Sequence, residues 1–193
     1  MLKEIIFRFN WLDLLFLVLI ARILYVSYKT GLVTECFKFL GAISAVYISL
    51  HYYNTFTDLF YSRFPAQKLP LNFIDFLSFI ILSLLGYLII VSIRGIFVRF
   101  IKIEAMPNLN QFAGMLFGAA RAALVVSLIS FALAISSVRY LENSVKDSYL
   151  AWHLFKAAPV TYSWLWNSLV SKFILSKESN KNVFNVQEGF YQR

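Results

Sequence analysis

Four stretches of this chain are each long and apolar enough to cross a bilayer, and that constraint sets the solvent against which the rest must fold. Crossing the hydrocarbon takes roughly 20 predominantly apolar residues, with about 17–25 tolerated. The stretches are 11–28 (WLDLLFLVLIARILYVSY), 32–51 (LVTECFKFLGAISAVYISLH), 73–93 (FIDFLSFIILSLLGYLIIVSI) and 112–138 (FAGMLFGAARAALVVSLISFALAISSV). Composition agrees. The chain is 60% hydrophobic and 15% charged, against about 45–50% and about 25% in soluble domains. Its 20 Phe, 11 Tyr and 4 Trp suit membrane–water interfaces.

The expected fold class is therefore all-α: a polytopic membrane protein with four transmembrane helices plus a C-terminal amphipathic helix. The net charge of +8 does not point to nucleic acid, because the basic residues flank the apolar runs and form no dense patch with interleaved aromatics. The single cysteine, Cys36, excludes an internal disulfide and lies in an apolar run, as a small buried hydrophobe does. Lys3 and Arg8 precede the first run as they would in a signal peptide, but no small-residue cleavage site follows, so the run is expected to stay as a span.

Three residues, Lys29-Thr30-Gly31, separate the first two runs, which predicts a tight antiparallel hairpin. Segment 52–72 is aromatic and interrupted by Pro65 and Pro70. Segment 94–111 carries Arg94, Arg99 and Lys102 against Glu104. Residues 1–140 thus read as the transmembrane domain, 141–176 as an amphipathic interfacial segment and 177–193 as a polar, disordered tail. Within 141–176, helical spacing puts Tyr162, Leu165, Trp166, Leu169, Val170 and Phe173 on one arc. That arc suits the membrane interface or the bundle's own end. Four spans put both termini on one side. The basic residues next to the short turn and in 94–111 mark the other side as cytoplasmic, so the termini are expected outside it.

Ionisable residues inside spans are costly and carry a functional hypothesis by default. Asp13 lies a turn into the first run, placed either to anchor and cap the helix or to partner an intramembrane ion. Arg22, nine residues on, cannot pair with it within the helix and can snorkel toward the side of Lys29. Glu35 and Lys38, three apart, share a face at the start of the second run, and Gly31 supplies the freedom of the reversal. In the fourth run, at about 100° per residue, Gly114, Gly118, Ala122 and Val125 form one stripe, with Arg121 on it. Small residues four apart let helix backbones approach. Arg121 is therefore aimed at protein, with Glu35, Asp13 or Asp75 as the available anions.

His51 and His153 lack companions at metal-ligand spacing, and no phosphate loop or nucleophile elbow is present. Neither an enzyme nor a cofactor is expected.

Asp13, the GLVTE turn with Gly31 and Glu35, and the G-x-x-x-G-x-x-R segment in NLNQFAGMLFGAARAALVVSLI together resemble the colicin V production protein (CvpA) family, over roughly residues 11–165. Asn110 and Ala122 depart from the Asp and Gly frequent there, and a C-terminal tryptophan–serine element is only loosely echoed between Ser148 and Trp152. The resemblance implies a four-span bacterial inner-membrane protein with periplasmic termini, linked to colicin V production or export, envelope homeostasis and biofilm phenotypes. Its expected role is that of an accessory or scaffold, with a charge-and-glycine core of Asp13, Gly31, Glu35, Gly114, Gly118 and Arg121. The alternative is a small transporter or channel subunit whose charges line a path. Expected partners are the lipid bilayer and membrane proteins or further copies of the chain, not nucleic acid.

Overall fold

The computed structural model describes residues 10–63, 70–100, 107–136, 138–173 and 179–192. The described residues are helical with no strand. They form α1 (Trp11–Arg63), α2 (Leu71–Phe100), α3 (Pro107–Ile135), α4 (Arg139–Asp147), α5 (Tyr149–Leu154), α6 (Ala157–Leu165), α7 (Ser171–Phe173) and α8 (Lys181–Tyr191), with a wider π turn at Trp166–Val170. Three are long and apolar enough to cross a membrane: Trp11–Arg63, Leu71–Gly95 and Leu109–Ile135.

The first of these contains both of the first two apolar runs, and it is broken at Gly31. That residue has φ 77° and ψ 174°, a region that essentially only glycine occupies. A straight helix would hold Ser27 and Glu35 about 12 Å apart along its axis. Instead Ser27 Oγ donates to Glu35 Oε2 at 2.9 Å, so the chain folds back. We refer to residues 11–31 as the first arm and residues 32–63 as the second arm.

The two arms and α3 make the centre of the bundle, and α2 leans on the second arm. Gly114 of α3 abuts Gly31 and Gly118 abuts Ser27, so α3 runs antiparallel to the first arm. At the other end Phe131 stacks on Phe79 of α2 and meets Tyr53 of the second arm edge-on. Close backbone contact fixes α2, since a methyl group on Gly86 would lie 3.0 Å from Ala45 Cα. Large apolar side chains such as Leu84, Leu88 and Ile89 of α2 and Leu116 of α3 face outward. In water that surface would be unfavourable; in lipid it is the expected exterior.

The described residues of 139–173 and 179–192 cover the end of the bundle that carries Asp13 and Tyr53, as several short helices where one amphipathic helix is expected. Pro159 falls in the first turn of α6, where a missing N–H costs nothing. Of the expected apolar arc, Tyr162 and Trp166 are buried against the second arm, Trp166 stacked on His51, while Leu169 faces outward. The side chain of Phe173 lies outside the described residues. Where a disordered tail is expected, Lys181–Tyr191 forms a helix capped by Asn180. Its Phe190 lies flat on Phe155 at 4.1 Å, and Val183 is buried. Two apolar anchors spaced seven apart give this polar segment a face to dock.

Candidate functional site

The site begins with a close approach of backbones. The first arm presents Ser27 and Gly31 four apart, and α3 presents Gly114 and Gly118 four apart, so two small-residue pairs mesh in antiparallel register. A methyl group on Gly114 would lie 2.9 Å from Gly31 C and from Ser27 O, and one on Gly118 would collide with the Ser27 side chain. At Gly31 a Cβ would stand 2.6 Å from Asn110 Nδ2.

Breaking α1 at Gly31 leaves the first amides of the second arm without intrahelical acceptors. Asn110 of α3 meets one of them: its Oδ1 accepts from Leu32 N at 2.7 Å. Asn110, which stands where the family resemblance leads one to expect an Asp, is a cap supplied from a different helix.

Next to this contact, Glu35 is fully buried and Arg121 nearly so. Arg121 Nη2 lies 3.0 Å from Glu35 Oε2, and Lys38 Nζ lies 2.7 Å from Glu35 Oε1. Thr30 Oγ1 donates to Oε1 at 2.6 Å and Ser27 Oγ to Oε2 at 2.9 Å. An ionised carboxylate offers about four acceptor positions, and four donor groups converge on them here, the Ser27 and Thr30 hydroxyls sharing their single protons with Ile23 O at 2.7 Å and Val26 O at 3.0 Å. With two cations to one anion, the node carries a formal charge of +1. Arg121 Nε is buried with no acceptor.

Of the expected charge core, Gly31, Glu35, Gly114, Gly118 and Arg121 come together and Asp13 does not. Asp13 lies at the opposite end of the first arm, fully buried. It accepts from Asn10 N at 2.9 Å, closing its own helix start, and from Ser148 Oγ at 2.6 Å, Leu150 N at 2.8 Å and Tyr149 N at 3.2 Å. It therefore caps the first turn of α5 and ties residues 139–154 to the bundle. Asn10 Nδ2 and Trp11 Nε1 reinforce the tie by donating to Ser144 O and Ser144 Oγ, each at 3.2 Å. Asp75, the third anion considered for Arg121, lies instead beside Tyr53 and Asn72 along a polar cavity of about 350 Å³.

Sequence reasoning missed Ser27, Thr30 and Ser127. Ser27 carried a signal, since S-x-x-x-G in the first arm mirrors G-x-x-x-G in α3. Ser127 carried none: its Oγ donates to Phe155 O at 2.6 Å and accepts from Ala158 N at 2.8 Å, bridging the break between α5 and α6. His51 Nδ1 lies 2.9 Å from the Tyr162 hydroxyl, which also accepts from Asn180 N at 2.8 Å. Burial pushes the Tyr162 phenol above its ordinary pKa, so it stays protonated beside His51. His153 Nδ1 contacts Tyr149 O. Among the described residues, no three His, Cys, Asp or Glu side chains group as a metal ion would require.

Among curated proteins and among solved structures, no match to the chain is found. A family model described as "Colicin V production protein" matches residues 12–177. That span takes in both arms, the glycine contact, the Glu35–Arg121 pair and the Asp13 cap, and the chain belongs to the colicin V production protein family.

Proposed function

We propose that the protein is a four-span bacterial inner-membrane protein, not an enzyme, that acts as a scaffold or accessory in toxin production or export and in envelope homeostasis. The two arms of α1 are two separate spans joined at Gly31, with α2 and α3 as the third and fourth. Lys29 beside the turn and Arg94 near the end of α2 support a cytoplasmic location for that end. The termini and residues 139–192 then lie on the periplasmic side, where the short helices form a cap at the membrane interface.

One observation carries the scaffold reading. Glu35 is saturated by four donors, and its neighbourhood is sealed by backbone contact between the Ser27–Gly31 and Gly114–Gly118 segments. A carboxylate with every acceptor position filled, behind helices too close for a solute to pass, serves cohesion better than conduction. A conduit reading draws on Arg121 Nε, which is buried without an acceptor and free to meet a passing anion.

Reconstitution in liposomes separates the two. A scaffold gives no ion or small-solute flux above empty vesicles, while Arg121→Gln lowers thermal stability. Flux that Arg121→Gln abolishes at unchanged stability favours the conduit. Reporter fusions at the C-terminus test the orientation: activity of a periplasm-dependent reporter is expected, and its silence contradicts the topology.

A further inference from the structure

The first arm carries a cation that the fold does not use. Arg22 is exposed, and within the described structure it meets no carboxylate, carbonyl or aromatic ring. It projects from the far side of the helix from Phe16 and Ser27, which face the core. Trp11, Leu15, Val18, Arg22, Tyr25 and Lys29 follow one another at steps of four and three and are all exposed. That spacing is the seam by which helices pair, here with an unneutralised charge near its middle.

A lipid phosphate is poorly placed to neutralise it. The turn at Thr30 is eight residues further on, about 12 Å along the helix, and helical side chains lean back toward the N-terminus, away from that surface. Lys29 already serves the surface, with its Nζ 4.5 Å above the Tyr25 ring. Among the described residues, a second copy offers no anion at this depth either. Glu35 is filled, Asp13 is held by α5, and Asp75 lies at the level of Tyr53, near the start of the first arm rather than its middle. An unpaired cation near the bilayer centre is costly and points to a partner.

We infer that the outward seam of the first arm docks a transmembrane helix of a different protein, whose carboxylate near the bilayer midplane pairs with Arg22. The inference rests on the four-span reading of the fold.

The test uses the full chain in lipid nanodiscs and dansyl-labelled polyleucine peptides of spanning length, with either one central Glu or none. Energy transfer from tryptophan, including Trp11 on the seam, reports association. The Glu peptide is expected to associate at least tenfold more tightly than the Leu peptide, Arg22→Leu to remove that preference and Arg22→Lys to retain most of it. Equal association of the two peptides overturns the inference. So does a result in which Arg22→Leu leaves peptide binding alone but lowers retention of phosphatidylglycerol, which assigns the charge to a headgroup. A Val18→Cys, Cys36→Ser chain keeps this apart from the span reading. Labelling by an impermeant maleimide in intact vesicles defeats the span reading itself, whereas a shielded cysteine without peptide preference defeats only the docking inference.

Discussion

Arg121 and Glu35 stand 86 positions apart in the chain and meet at 3.0 Å in the interior of the bundle. The contact joins α3 to the second arm across the first, because Ser27 and Thr30 of the first arm also donate to the same carboxylate. Three helical segments are thus closed on one anion.

The two partners are not equivalent. Glu35→Gln leaves Arg121 and Lys38 facing each other without an anion, and breaking a buried pair in this way costs about 3–5 kcal/mol. Arg121→Gln leaves Glu35 with Lys38, Thr30 and Ser27, so a smaller loss of about 1–3 kcal/mol is expected. Thermal unfolding of the purified variants in detergent ranks them, and a larger loss for Arg121→Gln contradicts the donor count at Glu35.

The glycines also separate. Gly114→Ala meets backbone atoms of Gly31 and Ser27, which have nowhere to move, whereas Gly118→Ala meets the Ser27 side chain. Ser27→Gly gives up one donor to Glu35 but removes the clash, and is therefore expected to restore part of the stability lost in Gly118→Ala and none of that lost in Gly114→Ala. Equal rescue of both, measured by size-exclusion profile after heating, argues against the antiparallel register.

At Asn110 the useful group is the side-chain oxygen. Asn110→Asp keeps an acceptor for Leu32 N at a helix start that favours negative charge, and is expected to unfold near the wild-type temperature. Asn110→Leu loses the cap, at a cost of about 0.5–2 kcal/mol. If Asp and Leu destabilise alike, the cap is not what Asn110 supplies.

Asp13 governs the C-terminal cap rather than the charge node. Asp13→Asn replaces one acceptor oxygen by a donor against Ser148 and the amides of Tyr149 and Leu150. Limited proteolysis is expected to cut within 139–192 several-fold faster in this variant while the fragment carrying residues 11–135 stays intact. Unchanged cleavage sinks the assignment.

The apolar runs and the glycine stripe were readable because both rest on local periodicity, and the direction of Arg121 followed from the same helical angle. Which carboxylate it meets was narrowed to three and needed the fold to decide. Asp13 was misplaced because its partners lie about 135 residues on, in a segment whose polar composition hides three inward-facing donors. The helix at Lys181–Tyr191 was unreadable for a related reason: only Val183 and Phe190 are buried, too few apolar positions to set a period. Read alone, Asn110 is only a departure from a frequent Asp. Its acceptor role appears only once Gly31 has freed the amide of Leu32.

The measurement that bears most directly on the node is a double-mutant cycle of Glu35→Gln and Arg121→Gln, read as unfolding free energy in detergent. Direct contact in a buried site gives a coupling within about 0.5–3 kcal/mol, and a value in the upper half of that range is expected, with the double variant more stable than Glu35→Gln alone. Additive losses, with the double variant less stable than either single one, would contradict the pair as the lock of the bundle.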